Sequence, residues 1–382
     1  MGDGGKAVKI AITSLADINN YGDVFFPLVI KKELEKRLPK VQVDIFTNIH
    51  YKCDYYETMV YEQEIMKQYD AVIMGGGELI SPYDDEAFRA TYGVDYNGKP
   101  SAIAYGWLHL PKIFKAWFAV GAHPVLFDYP TEVDLALQNL NYLSVRGVIS
   151  KKVLERGFIN HNNDIRVMPD LGWLFPKYID NDCENYIQNF YGLEKNQKYC
   201  VVQAIQDLNI EENIEMIAQA MVNFSRRRNV KVILLPIMQT EKQWMERDIL
   251  EKIYARAKMY GEEVKLLPFG MSVMQIGAVL KHAEFFVGSS LHGAVTALAY
   301  GKPVVNIRSE INTKLQDIHA VRCRSTCFAN GWDVLPGVLE RLCNESENEM
   351  DHKYAVMYAE YMRYRIEKEF DSLVAKILQN NF

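Results

Sequence analysis

The side chain best suited to acid–base chemistry, His292, stands where a strand pattern passes into a helical pattern. Apolar residues at 285–287 are followed by small residues that leave the backbone accessible, and the helical pattern begins near the histidine. A helix N-terminus attracts anions, and an imidazole beside it can donate or accept a proton near neutral pH. We therefore predict that His292 is catalytic and that its small neighbours bind a ligand: Ser289, Ser290 and Gly293. The alternative is a histidine that only belongs to the helix cap.

A second candidate region, Asn20 to Asp23, follows the first strand pattern and precedes an apolar helix. Gly22 permits a tight strand-to-helix turn, and Asp23 is suited to cap the helix by accepting from its free N–H groups. A capped loop is the simpler interpretation. Because the loop lies at the carboxyl end of a strand, Asn20, Gly22 and Asp23 are also candidates for ligand binding.

Two more glycine-containing loops follow apolar strand patterns. Gly76 and Gly77 belong to a run of three glycines before Glu78. Backbone N–H groups in this run could approach an anion closely, or the run could serve only a tight turn. It lacks the spacing of a dinucleotide-binding motif and the Lys-Ser/Thr pair of a P-loop. In the other loop, His123 is either satisfied within the turn or able to exchange protons with a ligand.

Cationic side chains at strand ends are candidates for binding an anion. A strand pattern ends at Arg146, whose guanidinium can bind the phosphate or carboxylate of a ligand or form an ion pair with Asp170. Further along the chain, a group of cations gives local positive charge, either as a solvated surface or as anion ligands: Arg308, Lys314, Arg322 and Arg324. Among these, Arg308 and Lys314 are included in the candidate binding set.

The elements that must position these residues alternate between strands and helices. In the first half, the predicted strands are Val8–Ile12, Val41–Phe46, Ala71–Met74, Ser101–Tyr105, Trp117–Val120 and Tyr142–Val145. Helical patterns at Val24–Leu38 and Val148–Arg156 lie among them. Nearly continuous apolar strands between helices are typical of parallel sheets covered on both faces. We therefore predict a doubly wound, Rossmann-like α/β domain over residues 1–175.

The pattern restarts after a polar segment, 176–198, which we interpret as a linker. The predicted strands that follow are Tyr199–Ala204, Val230–Leu235, Val264–Leu267, Glu284–Val287 and Pro303–Ile307. The predicted helices are Glu211–Arg228, Glu241–Met259, Ser272–Lys281 and His292–Tyr300. This indicates a second Rossmann-like domain over residues 199–350. Ligands of such sheets bind at the carboxyl ends of the strands, so we expect two parallel sheets that face each other across a cleft holding the site.

The chain ends in a long helical pattern, Asp351–Leu378, within residues 351–382. We expect this helix to pack back across the domains. Tyr354, Tyr358 and Tyr361 have the spacing of one helical face. Such a stripe could contact a partner or a membrane, but we expect it to face the core.

Composition restricts the class of protein. The chain has 382 residues, of which 49% are hydrophobic and 24% charged, as expected for a soluble globular protein with two domains. Lys and Arg number 43 against 49 Asp and Glu, and the net charge of −6 argues against nucleic-acid binding but not against a small anionic substrate. Neither a secretory signal nor a membrane-spanning apolar stretch is recognisable, so a cytoplasmic location is expected.

The six cysteines are scattered over the chain. Only Cys323 and Cys327 are close together, and with His319 nearby a metal site is conceivable. Scattered reduced thiols are the favoured interpretation, and no metal is predicted.

Taken in order, these segments resemble the polysaccharide pyruvyltransferase family. The resemblance covers most of the chain, through NNYGDVFF, GGGELI, VGAHP, LSVRGVISKKVLERG, VMPDLGW and GSSLHGAVTALAYGKPVV. It implies a GT-B-like fold, with the acceptor on the N-terminal side and the donor on the C-terminal side. It also implies transfer of pyruvyl from phosphoenolpyruvate to sugar hydroxyls, usually as a ketal and without a metal. The histidine of the family's Arg-Leu-His segment falls on His292.

Two positions depart from the family pattern. An arginine usually stands two residues before that histidine, where this chain has Ser290. A second arginine often follows the first strand of the C-terminal domain, where this chain reads VVQAIQD. The family's arginines are expected to bind the anionic donor. In their absence Arg146, Arg308 or Lys314 would bind it, or the donor would differ.

The leading hypothesis is therefore a transferase of capsule or O-antigen type polysaccharide biosynthesis, with phosphoenolpyruvate as co-substrate and no other cofactor. A glycosyltransferase that uses a nucleotide sugar is the second hypothesis, and a non-catalytic glycan-binding protein is the third. The expected partners are a glycan or lipid-linked oligosaccharide acceptor and a small anionic donor, not nucleic acid. A lipid-linked acceptor would bring the protein to the inner face of the membrane as a peripheral contact.

Overall fold

The chain divides into two compact α/β units. A computed structural model describes residues 7–81, 99–123, 130–157, 164–179, 197–207, 210–238, 244–308, 315 and 326–381. The first unit comprises Met1–Leu171 with Tyr364–Phe382, and the second comprises Gly172–Arg363. The division falls at Gly172, ahead of the polar segment 176–198 that was interpreted as a linker, and residues 180–196 of that segment lie outside the described part.

The first unit is built on a seven-stranded sheet whose pairings are all parallel. Its strands are β1 (Lys9–Thr13), β2 (Gln42–Thr47), β3 (Met59–Val60), β4 (Ala71–Gly75), β5 (Phe114–Val120), β6 (Tyr142–Val145) and β7 (Arg166–Val167). They lie in the order β3-β2-β1-β4-β5-β6-β7. Because the order reverses between β1 and β4, the loops that leave these two strands diverge and open a ligand position there.

Within the described residues, five helices accompany this sheet: α1 (Tyr21–Arg37), α2 (Gln63–Met66), α3 (Pro100–Tyr105), α4 (Pro130–Asn139) and α5 (Val148–Gly157). A single-turn 3-10 helix, Ala16–Ile18, precedes α1. Every residue of β4 and β5 is buried, which explains why these strands are almost continuously apolar in the sequence. Trp107 and Trp117 are fully buried in the same core.

The second unit repeats the plan with a parallel six-stranded sheet. Its strands are β8 (Tyr199–Gln203), β9 (Lys231–Leu234), β10 (Val264–Leu266), β11 (Phe286–Gly288), β12 (Val304–Arg308) and β13 (Thr326–Asn330). The order is β10-β9-β8-β11-β12-β13, so the reversal lies between β8 and β11. A ligand of the second unit is therefore expected at the loops after these two strands.

The helices of this unit are α6 (Phe175–Tyr178), α7 (Ile210–Arg228), α8 (Trp244–Lys258), α9 (Val273–His282), α10 (Leu291–Ala299) and α11 (Leu335–Ser346). Two 3-10 helices are Leu171–Leu174 and Trp332–Val334. The last helix, α12 (Glu349–Asn381), contributes its first residues to the second unit and those from Tyr364 onward to the first. No helix in the described part of the chain has the length and apolar character needed to cross a membrane.

The predicted elements are present, with ends that differ by at most three residues, except for residues 101–105. These were predicted as a strand and form most of helix α3. Pro100 begins that helix at a position where its missing N–H is no loss, and alanines favour the helical state. Ile103 is buried, and the Trp107 Nε1–H donates to its carbonyl at 2.8 Å. Strands β3, β7 and β13 and helices α2, α4, α6 and α11 were not predicted.

The expectation that the tyrosine stripe of the last helix faces the core is wrong for two of its members. Tyr358 packs against Trp173, with ring centroids 5.6 Å apart. Tyr354 and Tyr361 are 59% and 54% exposed. Successive helical positions turn by about 100°, and Tyr358 lies nearer than the other two to the buried side of the helix.

Candidate active site

In the first unit, the loop after β1 enters helix α1 by a different local geometry from the one predicted. Asn19 adopts the left-handed conformation, with φ of 51°, and Asn20 is the N-cap residue. Gly22 is buried inside the helix rather than in the turn, since the asparagine already supplies the left-handed residue. Asp23 is the third helical residue rather than the cap, and its Oδ2 accepts from Asn20 Nδ2 at 2.7 Å. Two candidate side chains are therefore paired with each other at the β1 end.

The glycines after β4 allow helix α1 to approach this loop closely. Gly76 and Gly77 have φ of +73° and +71°. A Cβ on Gly76 would overlap the Phe26 side chain, and one on Gly77 would lie 3.0 Å from Asp23 Oδ1. The Gly76 N–H donates to the carbonyl of Phe118 at 3.0 Å. Because the Gly76 N–H already donates to a backbone carbonyl, the structure favours a tight turn over anion binding at this glycine.

Backbone hydrogen bonds join the glycine loop to the loop after β5. The Gly121 N–H donates to Gly77 O at 2.7 Å, and the Ile80 N–H donates to Gly121 O at 3.1 Å. The His123 N–H donates to Ile80 O at 2.8 Å, and this residue is half-buried. The backbone of His123 is thus fixed at the carboxyl edge of the sheet, whereas its proton-exchange role stays a prediction.

Arg146 lies just beyond the end of β6, with its side chain only 3% exposed. Its Nη2 lies 3.4 Å from Glu78 Oε2, and its Nη1 lies 3.6 Å from Asp170 Oδ2. Gly121 makes room for the guanidinium, since a Cβ there would lie 2.6 Å from Arg146 Nε. The ion pair with Asp170 that the sequence left open is formed, and Glu78 is a second partner that was not predicted.

This cluster changes the electrostatic character expected for the first unit. Two carboxylates beside one guanidinium compensate the arginine charge, and separating a buried ion pair leaves an uncompensated charge. A negatively charged donor would have to compete with Glu78 and Asp170 for Arg146. The cluster therefore favours a structural role for Arg146 over donor binding.

In the second unit, one side-chain oxygen organises the turn before helix α10. Gln203, at the end of β8, accepts with Oε1 from the Ser289 N–H at 3.0 Å, the Ser289 hydroxyl at 3.2 Å and the Ser290 N–H at 2.9 Å. Its Nε2 donates to Glu246 Oε1 at 2.6 Å. The amide therefore ties the loops after β8 and β11 together at the position where the sheet order reverses.

Glu246, on helix α8, is a fully buried acid beneath this turn. Its Oε1 also accepts from the Ile237 N–H at 3.1 Å, and its Oε2 accepts from the Met238 N–H at 2.6 Å. Burial raises the pKa of Glu246 to about 7, although the hydrogen bonds from Gln203, Ile237 and Met238 oppose that rise. These three donors favour the ionised carboxylate, but burial favours the protonated form and is the larger effect.

Asn306, on β12, fixes the other side of the same turn. Its Nδ2 donates to Gly288 O at 2.8 Å and to Ser290 O at 3.3 Å. A Cβ on Gly288 would lie 2.6 Å from the carbonyl oxygen of Gln203, so only glycine permits this approach. The turn from Gly288 to Ser290 is thus held by the Gln203 side chain from β8 and the Asn306 side chain from β12.

His292 lies in the first turn of α10, as the sequence predicts, and its Nε2 atom is buried. Ser290 is the N-cap of this helix, and its Oγ accepts from the Gly293 N–H at 3.1 Å. The hydroxyl that stands where the family pattern has an arginine therefore stabilises the helix start. The catalytic role of His292 stays a prediction.

The remaining candidates are less closely placed. Arg308 is the last residue of β12, two residues beyond Asn306, and is partly exposed. Lys314, His319 and Cys323 lie outside the described residues. Within the described ranges, no cluster of three or more His, Cys, Asp or Glu side chains has a geometry that could hold a metal ion.

Sequence reasoning missed four residues of these sites: Glu78, Gln203, Glu246 and Asn306. Gln203 and Asn306 carried a usable signal, because each is a polar residue that directly follows buried apolar residues of a strand. Glu246 carried none, since it stands among polar and charged neighbours like an exposed helical residue. Its burial follows from the tertiary position of α8.

The comparison with protein families covers both sets of loops. The model of the polysaccharide pyruvyl transferase family matches residues 20–310, from the loop after β1 to just beyond β12. The matched region includes both carboxyl-edge sites. None of the curated proteins is significantly similar to the chain.

Solved structures with a similar fold include enzymes of sugar nucleotides. UDP-GlcNAc 2-epimerase from Neisseria meningitidis, bound to UDP-GlcNAc, has a TM-score of 0.61 and 12% identity, covering 98% of this chain and 100% of that one. UDP-GlcNAc 2-epimerase from Methanocaldococcus jannaschii, in complex with UDP-GlcNAc and UDP, has a TM-score of 0.56 and 14% identity, covering 94% of this chain and 100% of that one. A glycosyltransferase from Rickettsia africae has a TM-score of 0.58 and 8% identity, covering 98% of this chain and 100% of that one. At these identities the likeness shows the fold alone, which is the GT-B type.

Proposed function

The chain belongs to the polysaccharide pyruvyl transferase family, and we propose that it transfers pyruvyl from phosphoenolpyruvate to hydroxyls of a cell-surface glycan, forming a ketal. The family match carries the transferase assignment. The observation that supports the finer proposal is the placement of His292 in the first turn of α10, behind a turn held rigidly by Gln203 and Asn306.

The proposed chemistry needs one acid–base group at the donor. His292 would protonate the methylene carbon of phosphoenolpyruvate, which leaves an oxocarbenium-like centre at the adjacent carbon. A sugar hydroxyl adds to that centre, and its proton returns to the imidazole. Phosphate then leaves with the bonding electron pair, and a second hydroxyl adds and releases its proton to phosphate. One enol phosphate and two hydroxyls thus give one ketal and one inorganic phosphate.

The negative charge of the donor would be bound by groups other than the family's arginines. The N-terminus of α10 is the positive end of the helix dipole, which stabilises phosphate or carboxylate. Arg308 supplies a cation at the end of the neighbouring strand β12. We propose that these two features bind the donor in the second unit.

The acceptor would bind in the first unit. The Asn20–Asp23 pair and the Glu78–Arg146–Asp170 cluster offer hydrogen-bonding groups, and neither of them requires an anionic ligand. Such groups suit the hydroxyls of a polysaccharide or of its lipid-linked precursor in capsule or O-antigen assembly. A lipid-linked acceptor would place the reaction at the cytoplasmic face of the membrane.

A second candidate function is glycosyl transfer from a nucleotide sugar. It is favoured by one observation, the uncharged side chains of Gln203, Ser289 and Ser290 at the turn where the family has its arginines. A nucleotide depends less on such cations, since its base and ribose also contribute to binding. Fold neighbours in complex with UDP-GlcNAc are consistent with this alternative.

Calorimetric titration of the purified chain with phosphoenolpyruvate and with UDP-, GDP- and CMP-sugars separates the two functions. We expect saturable binding of phosphoenolpyruvate that is lost in Arg308→Ala and retained in His292→Ala. Binding of one nucleotide sugar and no response to phosphoenolpyruvate would refute pyruvyl transfer and support the second candidate.

Catalysis is tested by acceptor-dependent release of phosphate from phosphoenolpyruvate and by the methyl proton signal of the ketal product. His292→Ala is expected to abolish release by removing the proton donor, whereas His109→Ala, an exposed histidine of the first unit, is expected to leave it unchanged. Full activity in His292→Ala would contradict the mechanism. Addition of a chelator is expected to have no effect.

A further inference from the structure

The first part of helix α12 carries a row of large apolar side chains that face solvent. Met350 and Tyr354 are each 59% exposed, Met357 is 55% exposed and Tyr361 is 54% exposed. Their spacing of four, three and four residues places them on one face, which we call the Met–Tyr face. At 1.5 Å per residue this face is about 16 Å long. Contiguous apolar surface of this kind on a folded protein indicates an interaction site.

The Met–Tyr face is not the one that attaches the helix to the second unit. Ala355, Ala359 and Met362 are buried on the opposite side. There the His352 Nδ1 lies 3.2 Å from Gly301 O, and the Arg363 Nη1 donates to Ala299 O at 2.9 Å. The helix is therefore already anchored at the end of α10, and its outer face remains available for another molecule.

Two exposed charges of opposite sign border the same edge of the Met–Tyr face. Lys353 and Glu360 are seven residues apart, so they lie two helical turns from each other on nearly the same line. Consider the helix facing an antiparallel copy of itself, with the two-fold axis near residue 356. Lys353 of each copy then meets Glu360 of the other, and Met350 and Tyr354 meet Tyr361 and Met357. The face is self-complementary in charge and in apolar contact.

We infer that the Met–Tyr face binds the same face of a second copy of this chain, with the helices antiparallel. A two-fold pairing uses one patch on both copies, and this patch supplies both partners of each contact. The spacing of the apolar residues matches the a and d positions of a helix–helix seam, and Lys353 and Glu360 fall at its flanking positions. A membrane surface is a poorer match, because helices that bind anionic lipid carry excess Lys and Arg beside the apolar face.

Sedimentation equilibrium of the full chain over a concentration series tests the pairing. We expect a species of twice the 44.0 kDa chain mass. Lys353→Glu and Glu360→Lys should each raise the dimer dissociation constant about tenfold, because each turns two ion pairs into like-charge contacts. An equimolar mixture of these two variants should dimerise like the wild type, because each variant then meets the opposite charge on the other. Lys376→Glu, an exposed residue farther along the same helix, is the charge-matched control.

The apolar contribution is tested by Tyr354→Ser combined with Tyr361→Ser, with Met259→Ser at an exposed site of α8's C-terminal end as control. The double variant should be monomeric and should keep the helical circular dichroism of the wild type, because both side chains are exposed and make no core contact. A monomeric wild type at every concentration would overturn the inference. So would a dimer that is insensitive to the charge changes, and so would co-sedimentation of a monomer with phosphatidylglycerol vesicles that the double variant loses.

Discussion

Replacing Glu246 by glutamine tests the reasoning about the buried acid most directly. The carboxylate accepts from the Gln203 side chain and from the Ile237 and Met238 N–H groups. Glutamine has one accepting oxygen and one donating NH2 group, so at least one of these donors would face another donor. The substitution therefore removes a buried charge and at the same time loses a hydrogen bond.

The magnitude follows from the pKa of Glu246, which burial raises from 4.5 to about 7. Below the unfolded pKa the carboxyl is protonated in both states, and above the folded pKa it is ionised in both. Ionisation in the folded state then costs roughly 3 kcal/mol more than in the unfolded chain. The wild-type free energy of unfolding thus falls by this amount as the pH rises from about 4.5 to above about 7. The glutamine variant lacks this dependence.

Scanning calorimetry over this pH range measures the effect as a difference in melting temperature. For a unit of this size, 3 kcal/mol corresponds to roughly 6–12 °C. The wild type should exceed Glu246→Gln by its largest margin at acid pH, and the margin should shrink by this amount toward alkaline pH. Glu251→Gln, at an exposed position of the same helix, should follow the wild type throughout. If the difference in melting temperature between the wild type and Glu246→Gln stayed constant with pH, this would refute the argument.

Four further substitutions, of which Gly270→Ala is the control for Gly76→Ala, test the local geometry through thermal unfolding. Arg146→Leu leaves the Glu78 and Asp170 carboxylates without their shared cation and should lower the unfolding free energy by about 3–5 kcal/mol. Gly76→Ala should cost at least about 2 kcal/mol, because a positive φ and contact with Phe26 both oppose a Cβ. Gly270→Ala, with φ of +90° and no atom within 4 Å of its Cβ position, should lower the unfolding free energy only through its unfavourable φ. Ser290→Ala removes the cap of α10 and should cost about 1 kcal/mol.

Each of these expectations has an outcome that contradicts it. Wild-type stability in Arg146→Leu would mean that the two carboxylates do not depend on the guanidinium. Equal losses in the two glycine variants would remove the contact with Phe26 from the explanation. An unchanged melting temperature in Ser290→Ala would show that the start of α10 is fixed by other contacts.

Much of the fold was predictable because its strands are buried on both faces. The predicted strand Tyr142–Val145 has the observed bounds, and the turn before His292 lies where the sequence indicates. The helix at Pro100–Tyr105 was not recognised, because short residues alternating with larger ones imitate the period of a strand. Local patterns thus located the carboxyl edges of both sheets, where the candidate residues lie.

The partners of the candidate residues were less predictable, because they come from distant parts of the chain. Glu78 and Asp170 meet Arg146 only after the four strands β4 to β7 have paired, and the sequence indicated just one of these acids as a partner. Glu246 approaches Gln203 across 43 positions of chain. Spacing along the sequence predicts contacts within a turn or a helix, whereas these contacts are set by strand order.

The Gln203 amide restricts how donor preference can evolve on this scaffold. A single Gln203→Arg substitution would direct the guanidinium toward the Glu246 carboxylate, now 2.6 Å from the amide nitrogen, and would remove the acceptor of the Ser289 and Ser290 N–H groups. The new cation would be neutralised before an incoming anion reached it, and the turn would loosen. Related proteins with a different donor therefore have to differ at Gln203, Glu246 and Ser290 together. A combinatorial library should vary these three positions at the same time.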